Sequence, residues 1–333
     1  PSFTTIERFD VRNEEERIQM INDVLKSIIT VENPGEGIGS GVIVSASTIN
    51  GITTYYAVTN EHVTRDHTQI NVIYFVGGNQ YSIEDVTVEV EDGSNDVSVL
   101  SFQSTYDFGL VPFANHFLIE TGQTVYAIGN PRSIDYFHTV TEGILVSNRR
   151  FLTVSPSMNT YFIQHSAVIN PGNSGGPIVD SNGHILGLNS YELVEKYTIN
   201  GSEVVVDVEG MAFAVGSKIV ERVFLDAIDG RATTRTTLGI NASNKPTACK
   251  TNQLVGVCVQ SVEINSYAEE LLIGTDDIII QFKNEQFLNF VNINNVDELR
   301  EAMYATQVNT QISVVYLDAS EGYTETTKSI VLD

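Results

Sequence analysis

One short segment combines a candidate nucleophile with residues that remove side-chain bulk. The segment INPGNSGGPIVD, residues 169–180, places Ser174 among three glycines within five residues. Glycine reaches backbone angles that other residues rarely adopt, and it lets the backbone approach another group closely. The segment therefore forms either a plain β-turn or a loop that brings backbone N–H groups close to a ligand.

Ser174 can act as a nucleophile only if a base lies within hydrogen-bond reach and a third group fixes the tautomer of that base. Among the six histidines, His62 follows an apolar strand in YYAVTNEHV, where a side chain can reach a cleft. His165 lies nine residues before Ser174 in the same β-rich region. From position alone, an ordinary surface or core histidine is the better interpretation of either residue, and His62 is the stronger candidate for a base.

An aspartate in the first β-rich region is the candidate for the orienting group. Asp96 directly precedes the apolar strand VSVLSF, which favours a partly buried carboxylate. The surrounding EDGSND is also a typical turn cluster, so the local pattern supports a turn aspartate equally. The other candidates in this region are Asp66, Asp85 and Asp92.

Several other chemistries lack the residues that they need. In EHVTRDH the two histidines are five residues apart, without the order that a zinc protease uses. The glycine-rich GEGIGSG, residues 35–41, precedes a strand rather than a helix, which argues against a dinucleotide site. We therefore expect no metal and no cofactor.

The charge and the hydropathy exclude further classes of protein. Eighteen Lys and Arg against 42 Asp and Glu give a net charge of −24. Such a chain repels a phosphate backbone and an anionic membrane surface, so neither nucleic acid nor membrane is an expected partner. No apolar run is long enough to span a bilayer. The chain begins PSFTTIERFD without Met, which is typical of a mature or trimmed form, and the sequence does not show whether a targeting segment was removed.

The elements that would position these residues are mainly strands. Apolar spacing predicts a helix over 14–28, and six short β-rich runs over 27–102 are separated by turn residues. A second β-rich set ends before a helix that Ser217 caps and Gly230 stops. Two consecutive all-β units predict two antiparallel sheets or barrels packed together.

A polar linker separates these units from a smaller one. GRATTRTT, residues 230–237, is short and polar. The remaining chain has strand patterns and one helix that starts at Asn295, where Glu298 completes a capping box. Cys249 and Cys258 lie nine residues apart, so a hairpin disulfide is one reading, but the sequence favours two free thiols.

Three ordered segments resemble the active-site segments of the chymotrypsin-fold serine proteases. They are AVTNEHV, NDVSVL and INPGNSGGPIVD, and together with YAIGNP, TVTEGILVS and GMAFAV they are most similar to the HtrA (DegP/DegS) branch. The resemblance runs from about Ile28 onward, and the trailing unit resembles a single PDZ domain. Two features depart from the branch: QHSAVI stands where TDAAI is usual, and residues 190–210 are longer than expected.

The resemblance implies a mainly β fold, with a chymotrypsin-like double six-stranded β-barrel followed by an α+β PDZ domain. The implied domains are an N-terminal arm and helix at 1–27, a protease domain at 28–230, a linker at 231–237 and a PDZ domain at 238–333. The boundary between the barrels would fall near 115–120, and the protease domain would end in a helix at 217–229.

The resemblance also assigns roles to residues. His62 is the implied general base, Asp96 its orienting group and Ser174 the nucleophile. The implied oxyanion hole is formed by the backbone of Gly172, Asn173 and Ser174. The implied specificity pocket contains Val168, Ala212 and Ala214, and the apolar Val168 favours cleavage after small or medium aliphatic residues. The implied PDZ carboxylate-binding loop is Thr237, Leu238, Gly239 and Ile240.

Partners and location follow from the same resemblance. It implies unfolded or partly folded polypeptide substrates outside the cytoplasm, and peptide C-termini as PDZ ligands. The only membrane contact that it implies is through an N-terminal anchor, which many members of the branch carry. It also implies a homotrimer, for which Phe3 and Phe9 are the candidate contacts. A regulatory protease with one signalling substrate and a chaperone that cuts little remain as alternatives.

Overall fold

The computed structural model describes most of the chain and divides it into two compact units, one ending at Phe224 and the other starting at Leu225. The described residues are 14–115, 118–130, 138–154, 158–199, 202–231, 236–244, 249, 255–285, 287 and 289–332. Phe3, Phe9 and part of the expected linker lie outside the described residues, and for 191–199 and 202–210 only the backbone is described.

The first unit opens with a helix whose acidic start suits the helix dipole. α1 spans Glu14–Leu25, and its first turn holds three glutamates next to the unpaired backbone N–H groups. Met20 and Val24 are its buried residues. The helix ends three residues before the predicted limit, because Ile28 already pairs with Val42 in the first strand pair.

Seven antiparallel strands form the first sheet, in the order β5-β4-β1-β2-β3-β7-β6. The strands are β1 (Ile28–Asn33), β2 (Gly37–Ile49), β3 (Ile52–Thr59), β4 (Asn71–Val76), β5 (Asn79–Ile83), β6 (Val86–Asp92) and β7 (Val97–Gln103), and the short helix α2 is Glu61–Thr64. The sequence predicted six strands here. The seventh is β5, which forms because Gly77 and Gly78 both take positive φ, 57° and 82°, as a tight hairpin requires.

The second sheet closes into a six-stranded barrel, in the order β10-β13-β12-β11-β8-β9. Its strands are β8 (Thr124–Gly129), β9 (Thr139–Thr153), β10 (Asn159–His165), β11 (Pro177–Val179), β12 (Ile185–Ile199) and β13 (Ser202–Gly216), followed by the helix α3 (Ser217–Ile228). Its core is made of small and branched apolar side chains, among them Val125, Leu145 and Ala214. The barrel confirms the mainly β, chymotrypsin-like fold class. The long segment 190–210 is a hairpin extension in which β12 and β13 pair out to Ile199 and Ser202.

The second unit is a smaller sheet with two short helices. Its elements are β14 (Ile240–Ser243), β15 (Val257–Val262), α4 (Tyr267–Glu270), β16 (Ile278–Lys283), β17 (Val291–Asn292), α5 (Val296–Tyr304), β18 (Gln311–Asp318) and β19 (Thr324–Val331). β14 lies at one edge of this sheet. Asn295 caps α5 as predicted, because Glu298 N donates to Asn295 Oδ1 over 2.9 Å. The Glu298 carboxylate reaches back to the cap through the side chain, since Asn295 Nδ2 donates to Glu298 Oε1 over 3.0 Å.

The expectation of two free thiols is wrong. Cys249 and Cys258 form a disulfide, with their Cα atoms 5.8 Å apart. Both residues are buried, at 0% and 1% exposure. Sequence spacing alone left the pairing open, because it depends on how the segment before β15 packs against that strand.

Two absences hold for the part of the chain that the structure describes. No helix there is both long and apolar enough to cross a membrane. Nor do three or more His, Cys, Asp or Glu side chains gather there as a metal site would require.

Candidate active site

The structure brings His62 and Asp96 together at the ends of two adjacent strands. His62 Nδ1 lies 2.9 Å from Asp96 Oδ1 and 3.0 Å from Oδ2. The backbone N–H of His62 also donates to Asp96 Oδ1 over 3.0 Å. The carboxylate is 1% exposed and the imidazole 36% exposed, so a buried anion holds a ring that remains open to a cleft.

Local sequence explains how the two side chains meet. β3 and β7 are neighbours in the sheet, with Thr59 opposite Ser98. His62 lies in α2 directly after β3, and Asp96 lies in the turn directly before β7. Since antiparallel neighbours place the end of one strand beside the start of the other, both side chains reach the same edge.

Two further polar residues fix Asp96, and the sequence did not single out either one. Ser190 Oγ donates to Asp96 Oδ2. Asn60 Nδ2 donates to the Asp96 backbone oxygen over 2.9 Å, so this N-cap residue of α2 serves the aspartate instead of capping the helix. Asn60 directly follows β3 and Ser190 lies within β12, and no local pattern distinguishes either polar residue from an ordinary surface residue.

The electrostatics suit a base. Burial lowers the pKa of His62, but the hydrogen bond and negative charge of Asp96 outweigh it, so the pKa is raised above its ordinary value. A raised pKa means that the ring accepts a proton more readily. Because Nδ1 faces Asp96, the other ring nitrogen, Nε2, is the one available to the cleft.

Two consecutive turns form the loop around Ser174, and Ser174 lies in the second of them. Asn173 N donates to Asn170 O over 2.9 Å, which closes a turn with Pro171 and Gly172 in its centre. Gly172 has φ 100°, as the second central residue of a type II turn requires. Gly176 N then donates to Asn173 O over 2.9 Å, which closes a second turn with Ser174 in its centre.

Gly175 shows why the segment needs glycine. Its φ is 82°, and a Cβ there would stand 2.2 Å from Ser40 O and 3.0 Å from Asn60 N. Asn60 is two residues before His62, so the nucleophile turn packs directly against the start of α2. The segment is therefore a pair of turns whose backbone also packs closely against Ser40 and Asn60.

The backbone N–H groups of this loop divide into two sets. Those of Asn173, Gly175 and Gly176 donate to backbone oxygens. Those of Gly172 and Ser174 have no acceptor among the described residues. Asn173 was expected to contribute its N–H to an oxyanion hole, but this N–H already donates a hydrogen bond to Asn170 O. Gly172 and Ser174 are the remaining donors.

The Ser174 hydroxyl makes no hydrogen bond to His62 within the described part of the chain. In unliganded enzymes the nucleophile–base hydrogen bond is often long or poorly aligned, and it tightens when substrate binds. The structure thus brings His62 and Asp96 together and places the turn that carries Ser174 beside them.

The expected specificity residues separate into two environments. Ala212 and Ala214 lie in the barrel core at 2% and 0% exposure, whereas Val168 is 59% exposed. His165 pairs with Ala212 across the strands and is 0% exposed. Burial lowers the pKa of His165 to about 4. The buried alanines and the imidazole therefore share one side of the barrel, and Val168 is not part of that cluster.

The second unit has a groove where the carboxylate-binding loop was expected. A cavity of about 290 Å³ lies between the segment 236–242 and α5. Leu238 is 3% exposed and Gly239 has φ 72°. Ile240 starts the edge strand β14, and Thr237 is exposed. The N–H groups of Leu238 and Gly239 have no acceptor among the described residues.

The comparisons with known proteins agree with this arrangement. A family model described as a trypsin-like peptidase domain matches residues 39–188. The serine protease Do-like HtrA of Lactobacillus helveticus is 30% identical over 285 residues, covering 83% of this chain and 64% of the relative. The HtrA of Bacillus subtilis is 30% identical over 319 residues, covering 91% of this chain and 65% of the relative.

A third relative and a solved structure extend the comparison. The periplasmic serine endoprotease DegP of Salmonella typhimurium is 29% identical over 258 residues, covering 76% of this chain and 50% of the relative. The structure of the HtrA-type protease AlgW with tripeptide matches with a TM-score of 0.63 at 23% identity, covering 95% of this chain and 96% of that one. The chain spans less than two thirds of the length of these curated relatives.

Proposed function

This chain belongs to the HtrA family of trypsin-like serine proteases, and from that premise we propose that it is a serine endopeptidase with a Ser174–His62–Asp96 triad. One observation carries the proposal. A buried carboxylate holds His62 Nδ1 at 2.9 Å beside a glycine turn that presents one serine. In that arrangement His62 Nε2 is available to accept the proton of the Ser174 hydroxyl, as acyl transfer requires.

The chemistry follows from the groups in place. His62 takes the proton of the Ser174 hydroxyl while the oxygen attacks the scissile carbonyl carbon. The N–H groups of Gly172 and Ser174 stabilise the oxyanion that forms. His62 then gives its proton to the departing amine, and a water molecule, deprotonated by the same ring, hydrolyses the acyl-enzyme. Asp96 keeps the ring in one tautomer and stabilises its charged form.

The substrates we propose are unfolded or partly folded polypeptides outside the cytoplasm. The printed name of the Salmonella relative places that protein in the periplasm. The Cys249–Cys258 disulfide supports an oxidising location for this chain, because disulfides persist where thiols are not kept reduced. We also propose cleavage after small or medium aliphatic residues, since the exposed side chain of Val168 is apolar.

The second unit is proposed to be a PDZ domain that binds peptide C-termini. Thr236 Oγ1 donates to Met303 O at the end of α5, and Val296 N at its start donates to Asn244 Oδ1 after β14. α5 therefore runs antiparallel to the free edge of β14. A peptide could add as a strand in this groove, with its carboxylate at the free N–H groups of Leu238 and Gly239.

A regulated protease is the second candidate, because the hydrogen bonds of His62 within the described part of the chain go to Asp96 and none goes to the Ser174 hydroxyl. Occupation of the groove would then be needed to complete the site. A protein that only holds its clients is disfavoured by the hydrogen-bonded His62–Asp96 pair, which a holding function does not need.

The test is digestion of casein by the full chain, its Ser174→Ala variant and, as a control, Ser47→Ala on the exposed end of β2. The chain and the control should cut casein and react with a fluorophosphonate probe, and Ser174→Ala should do neither. A chelator should have no effect. Activity that appears only with added C-terminal peptides would support the regulated protease. Casein cleavage by Ser174→Ala would refute the triad.

A further inference from the structure

The backbone of Asp96 is held in a conformation that aspartate adopts only occasionally. Its φ of 56° lies in the left-handed region. Its carboxylate reaches His62 only in this conformation, because rotation of the backbone would carry both oxygens away from Nδ1. The surrounding structure must therefore hold the turn before β7 in place.

Asp92 builds that turn. Its Oδ1 accepts the N–H of Ser94 over 3.1 Å, the Oγ of Ser94 over 2.7 Å and the N–H of Asn95 over 3.1 Å. Its Oδ2 accepts Asn95 Nδ2 over 2.7 Å. Asp92 is 5% exposed, so these bonds are shielded from water. One carboxylate thus fixes the residues immediately before Asp96.

The turn is also tied to the six-stranded barrel. Thr160 Oγ1 in β10 donates to Asn95 Oδ1 over 2.6 Å, and both residues are 0% exposed. Asn95 therefore joins the turn of the first sheet to a strand of the barrel that carries Ser174.

Arg222 completes this cluster from a third element. Its Nη2 lies 3.3 Å from Asp92 Oδ2, and it is the largest fully buried side chain among the described residues. Burying an ion pair is costly, and apolar residues of similar volume often stabilise a fold equally well. The ion pair is therefore expected to position Asp92 more than to stabilise the fold. The Arg222 guanidinium keeps Asp92 Oδ2 directed towards α3, and Asp92 Oδ1 then faces the N–H groups of the turn.

We propose that Arg222, acting through Asp92, is a positioning residue for the triad aspartate. It holds the 92–95 turn so that Asp96 stays in its left-handed conformation against His62. The inference rests on the proposed peptidase function, but one of its readouts does not require activity.

The main test compares Arg222→Met with Arg222→Lys. Arg222→Met should lower kcat about 10- to 100-fold with little change in KM, because the change reaches the transition state through His62. Arg222→Lys keeps the charge and should recover part of kcat. In Arg222→Met the acid limb of the kcat/KM profile should also move to lower pH, because the protonated form of His62 loses part of its stabilisation by Asp96. The other charged groups near the ring, Glu61 and Arg65, are unchanged in this variant.

The matched control is Val223→Ala, on the same helix and equally buried. It should lower the melting temperature without moving kcat or the acid limb. An independent readout is the NMR titration of His62 in a Ser174→Ala background. There Arg222→Met should lower the pKa of His62, and this result stands even if the chain proves to have no peptidase activity.

The outcomes separate the explanations. If Arg222→Met does not fold, Arg222→Met/Asp92→Asn removes both charges. It should still have low kcat, because an amide at 92 cannot accept from both Asn95 and the turn as the carboxylate does. A folded variant with unchanged kcat and an unchanged His62 titration overturns the proposal. The proposal is also overturned if Val223→Ala lowers kcat as much as Arg222→Met does when the two variants have lost equally in melting temperature.

Discussion

At the scale of single residues, Ser40 connects the first sheet to the nucleophile loop. Its N–H donates to Ser174 O over 2.8 Å, and its hydroxyl donates to Gly172 O over 2.6 Å. The same hydroxyl accepts the N–H of Asn130 over 2.8 Å, and Thr59 Oγ1 donates to Ser40 O over 2.7 Å. One small side chain therefore determines where the Gly172 carbonyl points, and hence where the N–H groups of the loop point.

We predict that Ser40→Ala lowers kcat about 10- to 100-fold, because it leaves Gly172 O and the N–H of Asn130 without a partner. The fold should remain, since the main-chain bonds of Ser40 are kept. Peptide-substrate kinetics provide the measurement, with the exposed Ser47→Ala as the control. Equal kcat in both variants would show that the hydroxyl does not position the loop.

His165 predicts a pH dependence of stability. Burial lowers its pKa to about 4 in the folded protein, whereas an exposed histidine has a pKa of about 6.5. Unfolding therefore takes up a proton between these values, and the free energy of unfolding falls as the pH drops from 6.5 towards 4. The decrease in the free energy of unfolding that His165 causes should approach about 3 kcal/mol near pH 4.

Urea unfolding at a series of pH values tests this prediction. Burial also lowers the pKa of His138 to about 4, so His138 adds a slope of the same sign. His165→Gln should flatten the curve between pH 6.5 and 4, and His138→Gln should remove the smaller contribution of a half-buried group. A slope unchanged in His165→Gln would mean that another group controls acid stability.

At the scale of elements, the disulfide secures the start of β15 in the second unit. Cys249 packs with Ile278 in a small apolar cluster, and Tyr323 Oη donates to the Cys249 backbone oxygen. The bridge therefore holds Cys249 against β15, which pairs with the strand at the proposed peptide groove.

Reduction should destabilise the second unit by about 2–3 kcal/mol, as expected for closure of a short loop. Hydrogen exchange of β14 and β15, with and without reductant, measures the change. Exchange in the first unit should stay constant, and Cys249→Ala/Cys258→Ala should not respond to reductant. Equal protection of β15 in both conditions would contradict the prediction.

At the scale of the whole molecule, charge and apolar contacts oppose each other. The net charge of −24 works against association of identical chains. Salt weakens that repulsion more than it weakens apolar packing. The proposed trimer depends on Phe3 and Phe9, which lie outside the described residues, so it stays a prediction.

Light scattering should give a trimer mass for the unmodified chain, with a larger trimer fraction at 0.3 M salt than at 0.02 M. Over this range the screening length falls from about 20 to about 6 Å. Phe3→Ser/Phe9→Ser should give monomers with lower activity. Phe290→Ser, which removes an exposed aromatic ring from the second unit, should leave the mass unchanged. A monomer mass for the unmodified chain at every salt concentration would rule out the trimer.

The sequence by itself determined the features that depend on neighbours along the chain. The turns around Ser174 could be predicted because proline and glycine restrict or free the backbone locally, and the start of α5 could be predicted because Asn295 and Glu298 are three residues apart. The alternation of apolar residues likewise indicated two β units. The seventh strand was missed because NQYSI carries too few apolar residues to stand out.

Only the tertiary structure decided the contacts that join distant segments. Ser190 meets Asp96 across 94 positions, Arg222 meets Asp92 across 130, and Ser40 meets Gly172 across 132. The Cys249–Cys258 pairing was open for the same reason, although the two cysteines are only nine positions apart. Each contact depends on strand register and on how the sheets pack, and a side chain's own neighbours in the sequence do not encode either one.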